Sequence, residues 1–237
     1  MKIALLGFGK MGKTIERIAE AKGHNIVCRS NSTSNELDLN EAEVAIEFSS
    51  PEAAVHNLSA CFKQNVPVVS GTTGWLDRYS EMVKLCESSN GSFIYASNFS
   101  IGVNLFFSMN EYVAQLMSTI EGYEVGMKEI HHTQKKDAPS GTAISLAEGI
   151  IKNSSKVDWR LKDDEKTDEN VINIEAKRIE DVKGTHRISY TSEVDTITLQ
   201  HEAYSRDGFA LGAILAAEWL VGKTGVYSMK DVLHIGD

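Results

Sequence analysis

Short apolar runs alternate with helical patterns over the first hundred residues of the chain. Residues 3–6 form a continuous apolar run ended by Gly7, which is typical of a strand buried on both faces. Further strands are predicted at residues 25–28, 44–48, 66–70 and 92–96. Helical spacing of apolar residues covers 13–22, 51–62 and 80–87. Strands and helices that alternate in this way predict a parallel sheet covered by helices on both faces.

The alternating pattern stops near Asn104. The sequence from there on predicts a helix at 105–120, a strand at 124–131, a helix at 140–152, a polar stretch at 153–170, and strands at 171–179, 186–192 and 196–202. In the last strand every second residue is apolar, as in a half-exposed antiparallel strand. A final helix is predicted at 208–220. The predicted fold class is α/β: a parallel-sheet domain of residues 1–102 and 207–237, plus a smaller α+β domain of residues 103–206 with an open mixed sheet.

Composition and charge narrow the classes of function. The 237 residues are 42% hydrophobic and 24% charged, which is ordinary for a globular protein and argues against disorder. A net charge of −9 repels nucleic acid and anionic membranes, so neither is an expected partner. The most apolar late stretch, 209–221, contains Glu218 and is too short to span a bilayer.

The cysteines and the first residues predict a cytoplasmic protein. Cys28, Cys61 and Cys86 are widely spaced and form no CxxC motif, which fits reduced, buried thiols. The chain starts with Met-Lys and enters a predicted strand at once, so we expect no signal peptide.

A GxGxxG motif follows the first predicted strand and begins the first predicted helix. Its residues are Gly7, Phe8, Gly9, Lys10, Met11 and Gly12. Glycines at this spacing allow a tight turn and a close approach of the backbone to a pyrophosphate, which the helix N-terminus attracts. In this context the motif predicts a Rossmann-type domain that binds a dinucleotide, whereas alone it could be a structural turn.

The end of the second predicted strand bears on the choice between NADH and NADPH. An acidic side chain here would bind the 2′-hydroxyl of the adenosine ribose, but no acid occurs before Glu36. Asn31 and Ser32 are the candidate ribose contacts, and Arg29 and Lys10 could accommodate a 2′-phosphate. We therefore expect NADPH to be accepted as well as NADH, although Arg29 could also be a solvated side chain at a strand end.

Two further loops follow the fourth and fifth predicted strands, at the carboxyl edge where open α/β sheets bind ligands. They are residues 71–74 and 97–102. Their backbone groups and small polar side chains suit the carboxamide and ribose of a nicotinamide. By themselves they could be ordinary turns.

The highest density of reactive side chains lies in residues 129–143, EIHHTQKKDAPSGTA. Two histidines, two lysines and an aspartate precede a Pro-Ser-Gly-Thr turn that begins a helix, whose free N–H groups form an anion site. Such a segment could hold a carboxylate or phosphate and pass it a proton. A metal site fits poorly, because His131 and His132 point to opposite faces of a strand and no third ligand follows at suitable spacing. A solvated loop is the plain alternative.

These segments together resemble the 4-hydroxy-tetrahydrodipicolinate reductase family, also called dihydrodipicolinate reductase. The similarity rests on GFGKMG, EFSSP, GTTGW, SNFSIGVN and above all EIHHTQKKDAPSGTA, and it extends over nearly the whole chain. It implies NAD(P)H-dependent reduction of 4-hydroxy-tetrahydrodipicolinate to tetrahydrodipicolinate, a step of diaminopimelate and lysine biosynthesis. It also implies a Rossmann-type domain, a smaller domain for substrate binding and oligomerisation, a small dicarboxylate substrate and a homotetramer.

The resemblance implies roles for individual residues. It implies His131 and Lys135 as catalytic residues, with His131 as acid/base and Lys135 as proton donor and carboxylate partner. The implied substrate contacts are His132, Ser140, Gly141 and Thr142. Besides the GxGxxG loop, the implied cofactor contacts are Gly71, Thr72, Thr73, Ala96, Ser97, Asn98 and Phe99. No metal is implied.

Departures from the family pattern and two other functions stay open. Many members have one more residue in the pyrophosphate loop and an acid near Asn31, so the cofactor preference is undecided. The chain could also be another two-domain dehydrogenase of an amino or oxo acid, or a nucleotide sensor without chemistry. The presence of both His131 and Lys135 beside an intact DAPSGT turn argues against the sensor.

Overall fold

The computed structural model describes residues 1–31, 37–39, 41–162 and 168–236. The chain divides into two compact units, one made of Met1–Ile101 with Asp207–Asp237 and the other of Gly102–Arg206. Ser32, one of the candidate ribose contacts, lies outside the described residues. Within the ranges described, no helix combines the length and the apolar character needed to cross a bilayer.

The first unit is built around a six-stranded parallel sheet. Its strands are β1 (Lys2–Leu6), β2 (Asn25–Ser30), β3 (Val44–Glu47), β4 (Val68–Ser70), β5 (Ser92–Tyr95) and β11 (Gly225–Tyr227), in the order β11-β5-β4-β3-β1-β2. The residues of β3 and β4 are buried throughout, as expected for apolar strands covered on both faces, and each strand ends in a buried polar residue, Glu47 or Ser70. From β1 the chain first adds β2 on one side of the sheet and then β3, β4 and β5 on the other side. Open α/β sheets bind ligands at such a switch point, which here lies between β1 and β3.

Helices cover both faces of this sheet. They are α1 (Lys10–Ala21), α2 (Pro51–Lys63), α3 (Tyr79–Ser88), α6 (Asp207–Leu220) and α7 (Met229–Val232), with a 3₁₀ turn at Leu76–Arg78. One core lies under α1 and α6 and contains Ile15 and Ile214. The other lies under α2 and α3 and contains Leu58 and Met82. The predicted parallel sheet with helices on both faces is therefore confirmed.

The second unit has a five-stranded mixed sheet. Its elements are α4 (Ile101–Met117), β6 (Glu124–His131), α5 (Gly141–Lys152), β7 (Asp158–Leu161), β8 (Val171–Arg178), β9 (Thr185–Thr191) and β10 (Thr196–Glu202). The order is β10-β9-β6-β8-β7; β8 pairs in parallel with β6 and β7, and β9 pairs antiparallel with β6 and β10. Residues of α4 and α5 form a core with the sheet, including Phe106, Leu146 and Ile174. The open mixed sheet is as predicted.

Three short elements of the structure are not predicted from the sequence. Strand β7 lies in the stretch 153–170, for which the sequence predicts only a polar segment, and its four residues are exposed or half-buried. Strand β11 has three residues and α7 has four, so neither is long enough for a hydrophobic period to emerge. The two strands depend on pairing with β5 and β8, whereas α7 is held by a local capping box between Ser228 and Asp231.

Candidate active site

The GxGxxG loop has a backbone path that only glycine can follow. Gly7 has a φ of +101°, and a Cβ atom there would lie 2.0 Å from the carbonyl oxygen of Phe48. A Cβ atom on Gly12 would lie 2.3 Å from the carbonyl oxygen of Gly7. These two glycines therefore allow β1, α1 and the loop after β3 to pack closely.

Gly9 has a different environment at the start of α1. A Cβ atom on Gly9 would meet nothing within 4 Å, so the space above this residue is open. Gly9 caps α1 without a side-chain hydrogen bond, and the first turn holds no acidic residue. The N-terminus of α1 thus presents backbone N–H groups and a partial positive charge to a ligand.

A cleft of about 440 Å³ lies at the switch between β1 and β3. Its lining includes Phe8, Gly9, Asn31 and Phe48, which follow β1, β2 and β3. The Asn31 side chain accepts a hydrogen bond from the backbone N–H of Phe8 at 3.1 Å, and so fixes the loop it faces. These residues fit the pyrophosphate end of a dinucleotide.

Arg29 is engaged by α1. Its guanidinium lies 2.5 Å from the Glu16 carboxylate and 3.7 Å from that of Glu20, and it sits 5.8 Å from the centre of the Phe8 ring. Any 2′-phosphate would compete with these two carboxylates for the guanidinium. Pairing with Glu16 and Glu20 therefore reduces the contribution that Arg29 can make to NADPH binding.

A buried glutamate joins the loops after β3 and β4. Glu47 is fully buried, and its carboxylate accepts hydrogen bonds from Ser70 Oγ at 2.6 Å, Thr72 Oγ1 at 2.8 Å and Ser49 N–H at 3.0 Å. The Gly71 N–H donates to the Glu47 carbonyl at 2.9 Å. Gly71 and Thr72 are thereby held in place, whereas Thr73 is exposed.

The loop after β5 combines exposed and buried residues. The Ala96 N–H donates to the Ser70 carbonyl at 3.2 Å, and Asn98 Oδ1 accepts from the Ser100 N–H at 2.8 Å. Ser97 is exposed, but the Phe99 side chain is buried, with its ring 5.7 Å from that of Phe48. Of Phe99, therefore, only the backbone is available to a cofactor.

In the second unit, Glu129 and His131 share the buried face of β6, two residues apart. Glu129 Oε2 lies 3.5 Å from His131 Nδ1 and accepts a hydrogen bond from the Ser140 N–H at 3.0 Å. Glu129 Oε1 lies 3.1 Å from Arg178 Nη2. One carboxylate thus connects the candidate acid/base, the DAPSGT turn and β8.

Arg178 also holds the loop that carries Lys135. Its guanidinium donates to the carbonyls of Lys135 at 3.3 Å and of Asp137 at 2.5 Å. Lys135 Nζ lies 2.8 Å from the Asp137 carboxylate. Lys135 is half-buried and Lys136 is exposed, so the two adjacent lysines occupy different environments.

The DAPSGT turn forms the N-terminus of α5. Ser140 is buried, and its Oγ accepts a hydrogen bond from the Ala143 N–H at 3.2 Å as the helix cap. The same Oγ shares a 3.2 Å hydrogen bond with Nε2 of His186 on β9. Gly141 is exposed, Thr142 and His132 are half-buried, and the first turn of α5 holds no acid. The turn is thus built to receive an anion.

Burial and charge set the protonation of this cluster. Burial lowers the pKa of His131, as do Lys135, Arg178 and His132, while the charge of Glu129 opposes them. Burial would raise the pKa of Glu129, but the hydrogen bonds from Ser140 and the nearby positive charges outweigh it, so that pKa is lowered. Burial, helped by His131, lowers the pKa of His186 to about 3.

Glu129, His131 and His186 also bear on the metal question. Their ligand atoms all lie within 4.8 Å of one another. The sequence argument that no third ligand is within reach is therefore incomplete, because His186 comes from a strand 55 residues beyond His131. Glu129, however, already accepts hydrogen bonds from Arg178 and Ser140, and we treat the group as a hydrogen-bonded cluster.

Two family models together match almost the whole chain. The model described as "Dihydrodipicolinate reductase, N-terminus" matches residues 1–99, and "Dihydrodipicolinate reductase, C-terminus" matches residues 102–233. The resemblance found in the sequence motifs is thereby confirmed.

Curated relatives agree with the family models. A 4-hydroxy-tetrahydrodipicolinate reductase of Christiangramia forsetii is 52% identical over 236 residues, covering 98% of each chain. One of Rickettsia bellii is 39% identical and covers 94% of this chain and 90% of its own. Among solved structures, a dipicolinate-bound dihydrodipicolinate reductase from Paenisporosarcina sp. TG-14 matches with a TM-score of 0.79 and 22% identity, covering 96% of this chain and 97% of its own.

Proposed function

The chain belongs to the dihydrodipicolinate reductase family, and on that premise we propose how its two units share the work of one reduction. It is an NAD(P)H-dependent oxidoreductase of diaminopimelate and lysine biosynthesis. Its reaction is the reduction of 4-hydroxy-tetrahydrodipicolinate to tetrahydrodipicolinate.

The first unit binds the cofactor. The open space above Gly9, the uncapped start of α1 and the cleft beside Asn31 support a pyrophosphate and ribose site there. The loops at 71–73 and 96–99 follow β4 and β5 and would hold the nicotinamide end. When bound, the nicotinamide supplies the hydride that is added to C4 of the substrate ring.

The second unit binds the substrate. The N-terminal turn of α5, with Ser140, Gly141 and Thr142, receives one substrate carboxylate through backbone N–H groups, and His132 contributes a further contact. Lys135 leaves Asp137 and compensates the remaining charge of that carboxylate. The related structure from Paenisporosarcina holds dipicolinate, a planar dicarboxylate, which supports a dicarboxylate substrate for this chain.

His131 is the acid/base that donates or relays the proton of the reaction. The overall change removes the 4-hydroxyl as water, adds a hydride at C4 and adds a proton at the neighbouring carbon. A histidine can both take up and release a proton near neutral pH, and His131 lies next to the proposed carboxylate site. Lys135 is a second proton donor on the same loop.

One observation carries these assignments: a continuous set of contacts joins His131, Ser140 and the Lys135 loop through Glu129 and Arg178. A nucleotide sensor would gain nothing from this arrangement. A reductase needs it, because the anion turn, the proton source and the lysine must be aligned with one another.

We also infer a homotetramer in the cytoplasm. The open sheet of the second unit supports assembly, because β10 is an edge strand with exposed residues such as Ile197, and edges of this kind tend to be paired or covered. The three free cysteines, of which Cys61 and Cys86 are buried, fit a reducing compartment. Light scattering on the purified protein would give the mass of the assembly.

The function is tested by following NADPH and NADH oxidation in the presence of the product of a dihydrodipicolinate synthase reaction. We expect oxidation only when that product is supplied, and inhibition by pyridine-2,6-dicarboxylate. A protein that binds NADPH but oxidises it at the same rate with and without the product would contradict the proposal.

A further inference from the structure

Glu129 has more connections to the substrate unit than its place in a strand requires. It is fully buried on β6, where an ionised side chain is costly unless it is paired and hydrogen-bonded. Its two oxygens are used separately: Oε1 faces Arg178, and Oε2 faces the Ser140 N–H and His131. His186 Nε2 approaches the same Oε2 at 3.9 Å.

We propose that Glu129 is a positioning residue of the reduction, which orients the His131 imidazole, keeps it able to carry a proton, and fixes the anion turn of α5. The inference rests on the acid/base role proposed above for His131. Glu129 acts through His131, Ser140 and Arg178, not by touching the substrate.

The geometry fixes which edge of His131 is free to act. Nδ1 faces the Glu129 carboxylate at 3.5 Å, so a proton on Nδ1 points at a negative charge. The opposite nitrogen, Nε2, faces Gly184, where a Cβ atom would lie 3.2 Å from it. Glycine at this position leaves the Nε2 edge uncrowded. The Nδ1 edge of the ring thus faces the Glu129 carboxylate, and the Nε2 edge, which faces Gly184, is the one we assign to proton transfer.

The other carboxylate oxygen of Glu129, Oε1, affects the position of Lys135 indirectly, through Arg178. Oε1 holds the Arg178 guanidinium, which in turn donates to the backbone carbonyls of Lys135 and Asp137. The same glutamate therefore places the lysine loop and, through the Ser140 N–H, the start of α5. A single buried charge aligns three parts of the substrate site.

The charges around His131 make the effect measurable. The groups that face it are Glu129 on its own strand, His186 on β9, Arg178 on β8, and Lys135 and His132 on the adjoining loop. Glu129 raises the pKa of His131, whereas Lys135, Arg178 and His132 lower it. Removing the charge of Glu129 must therefore lower the pKa of His131 further, and if His131 carries the proton of the reaction, the pH dependence of kcat must follow that change.

The test is Glu129→Gln, read by the NMR titration of His131 and by the pH dependence of kcat. The carboxylate charge that raises the pKa of His131 is lost, so that pKa should fall, whereas the amide oxygen can still accept the Ser140 hydrogen bond and keep the start of α5 in place. The pH at which kcat declines should move down with the pKa of His131. Glu148→Gln, which removes an exposed carboxylate from α5, is the matched control and should change neither.

The unmodified protein gives a second measurement that does not depend on how the variant folds. Because the two groups are coupled, the His131 resonance should show a second inflection at acid pH as Glu129 is protonated. A single inflection, or a His131 pKa that is the same in Glu129→Gln, overturns the inference. Failure of the proposed function would be seen separately, as absence of substrate-dependent NADPH oxidation by the unmodified protein.

Discussion

Two fully buried glutamates organise the two candidate sites, and they do so with different partners. Glu47 in the first unit accepts hydrogen bonds from Ser49, Ser70 and Thr72, all of them neutral donors. Glu129 in the second unit faces groups that carry or exchange charge, including Arg178 and His131. The first arrangement fixes the shape of loops, while the second also sets protonation.

The difference follows what each site has to do. The cofactor brings its own chemistry, so the first unit has only to hold it, and backbone groups at Gly7 and Gly9 suffice. The substrate must be neutralised and protonated, which requires side chains with adjustable charge. Changes that affect the reaction should therefore be concentrated in the second unit, and changes that affect cofactor affinity in the first.

The largest effect is expected from His131→Gln. If His131 handles the proton, kcat should fall about 10²–10⁴-fold, the usual range for acid–base catalysis. The dissociation constant of NADPH should barely change, because His131 belongs to the second unit. Steady-state kinetics and calorimetry give the two numbers. Turnover close to that of the unmodified enzyme would remove His131 from the mechanism.

Lys135→Ala should have the next largest effect. An ammonium group beside a partly desolvated carboxylate contributes roughly 1.5–3 kcal/mol, so KM should rise by about one to two decades. If the same lysine donates the proton, kcat should fall as well. Lys136→Ala is the control, since Lys136 is exposed. Two variants with the same, near-normal KM would show that Lys135 does not anchor the substrate.

Buried His186 in the second unit should also make the folded protein less stable at acid pH. An unfolded histidine binds its proton near pH 6.5, whereas the pKa of folded His186 is lowered to about 3 by burial. Between these values the unfolded chain holds the extra proton, so stability is lost as pH falls through this window, by about 1.4 kcal/mol per pH unit.

His186→Gln should therefore reduce the slope of unfolding free energy against pH between about 6 and 4 by close to one proton. Urea unfolding at a series of pH values measures that slope. His56→Gln, in the exposed part of α2, is the control and should keep it. Equal slopes in both variants would mean that His186 is not the buried, neutral group we describe.

The smallest effect is expected from Arg29→Ala. Because Glu16 and Glu20 already pair with Arg29, its loss should lower the ratio of NADPH to NADH affinity by less than tenfold. Calorimetric titration of the protein with each cofactor measures the ratio. A loss greater than tenfold, about 1.4 kcal/mol, would show that Arg29 leaves its carboxylates and binds the 2′-phosphate.

The sequence predicts the motifs whose residues are contiguous, and it misses the contacts between residues that come from different strands. The GxGxxG loop and the DAPSGT turn are contiguous, so their strand–turn–helix contexts can be inferred from periodicity and from helix-terminus chemistry. Glu129 could have been noticed, since it lies two residues before His131 on a strand with alternating burial. Arg178 and His186 come from other strands, and only the pairing of β6 with β8 and β9 brings them to Glu129.

Sequence reasoning also misses Glu47, although this residue lies within the predicted strand 44–48. Its partners Ser70 and Thr72 follow β4, and the parallel register between β3 and β4 places them beside its carboxylate. A single acid at the end of an apolar run gives no indication of how many donors will meet it. The two buried glutamates are therefore a product of strand order, which residue spacing does not encode.

The central claim, that the first unit holds the cofactor and the second the dicarboxylate, is tested most directly by Gly9→Ala and Gly141→Ala. Gly9 and Gly141 lie at the starts of α1 and α5, and a Cβ atom on either would meet nothing within 4 Å, so both variants should fold normally. We would titrate each by calorimetry with NADPH and with pyridine-2,6-dicarboxylate. We predict that Gly9→Ala weakens NADPH alone and Gly141→Ala weakens the dicarboxylate alone, each about tenfold. Equal losses of both ligands in either variant would contradict the division.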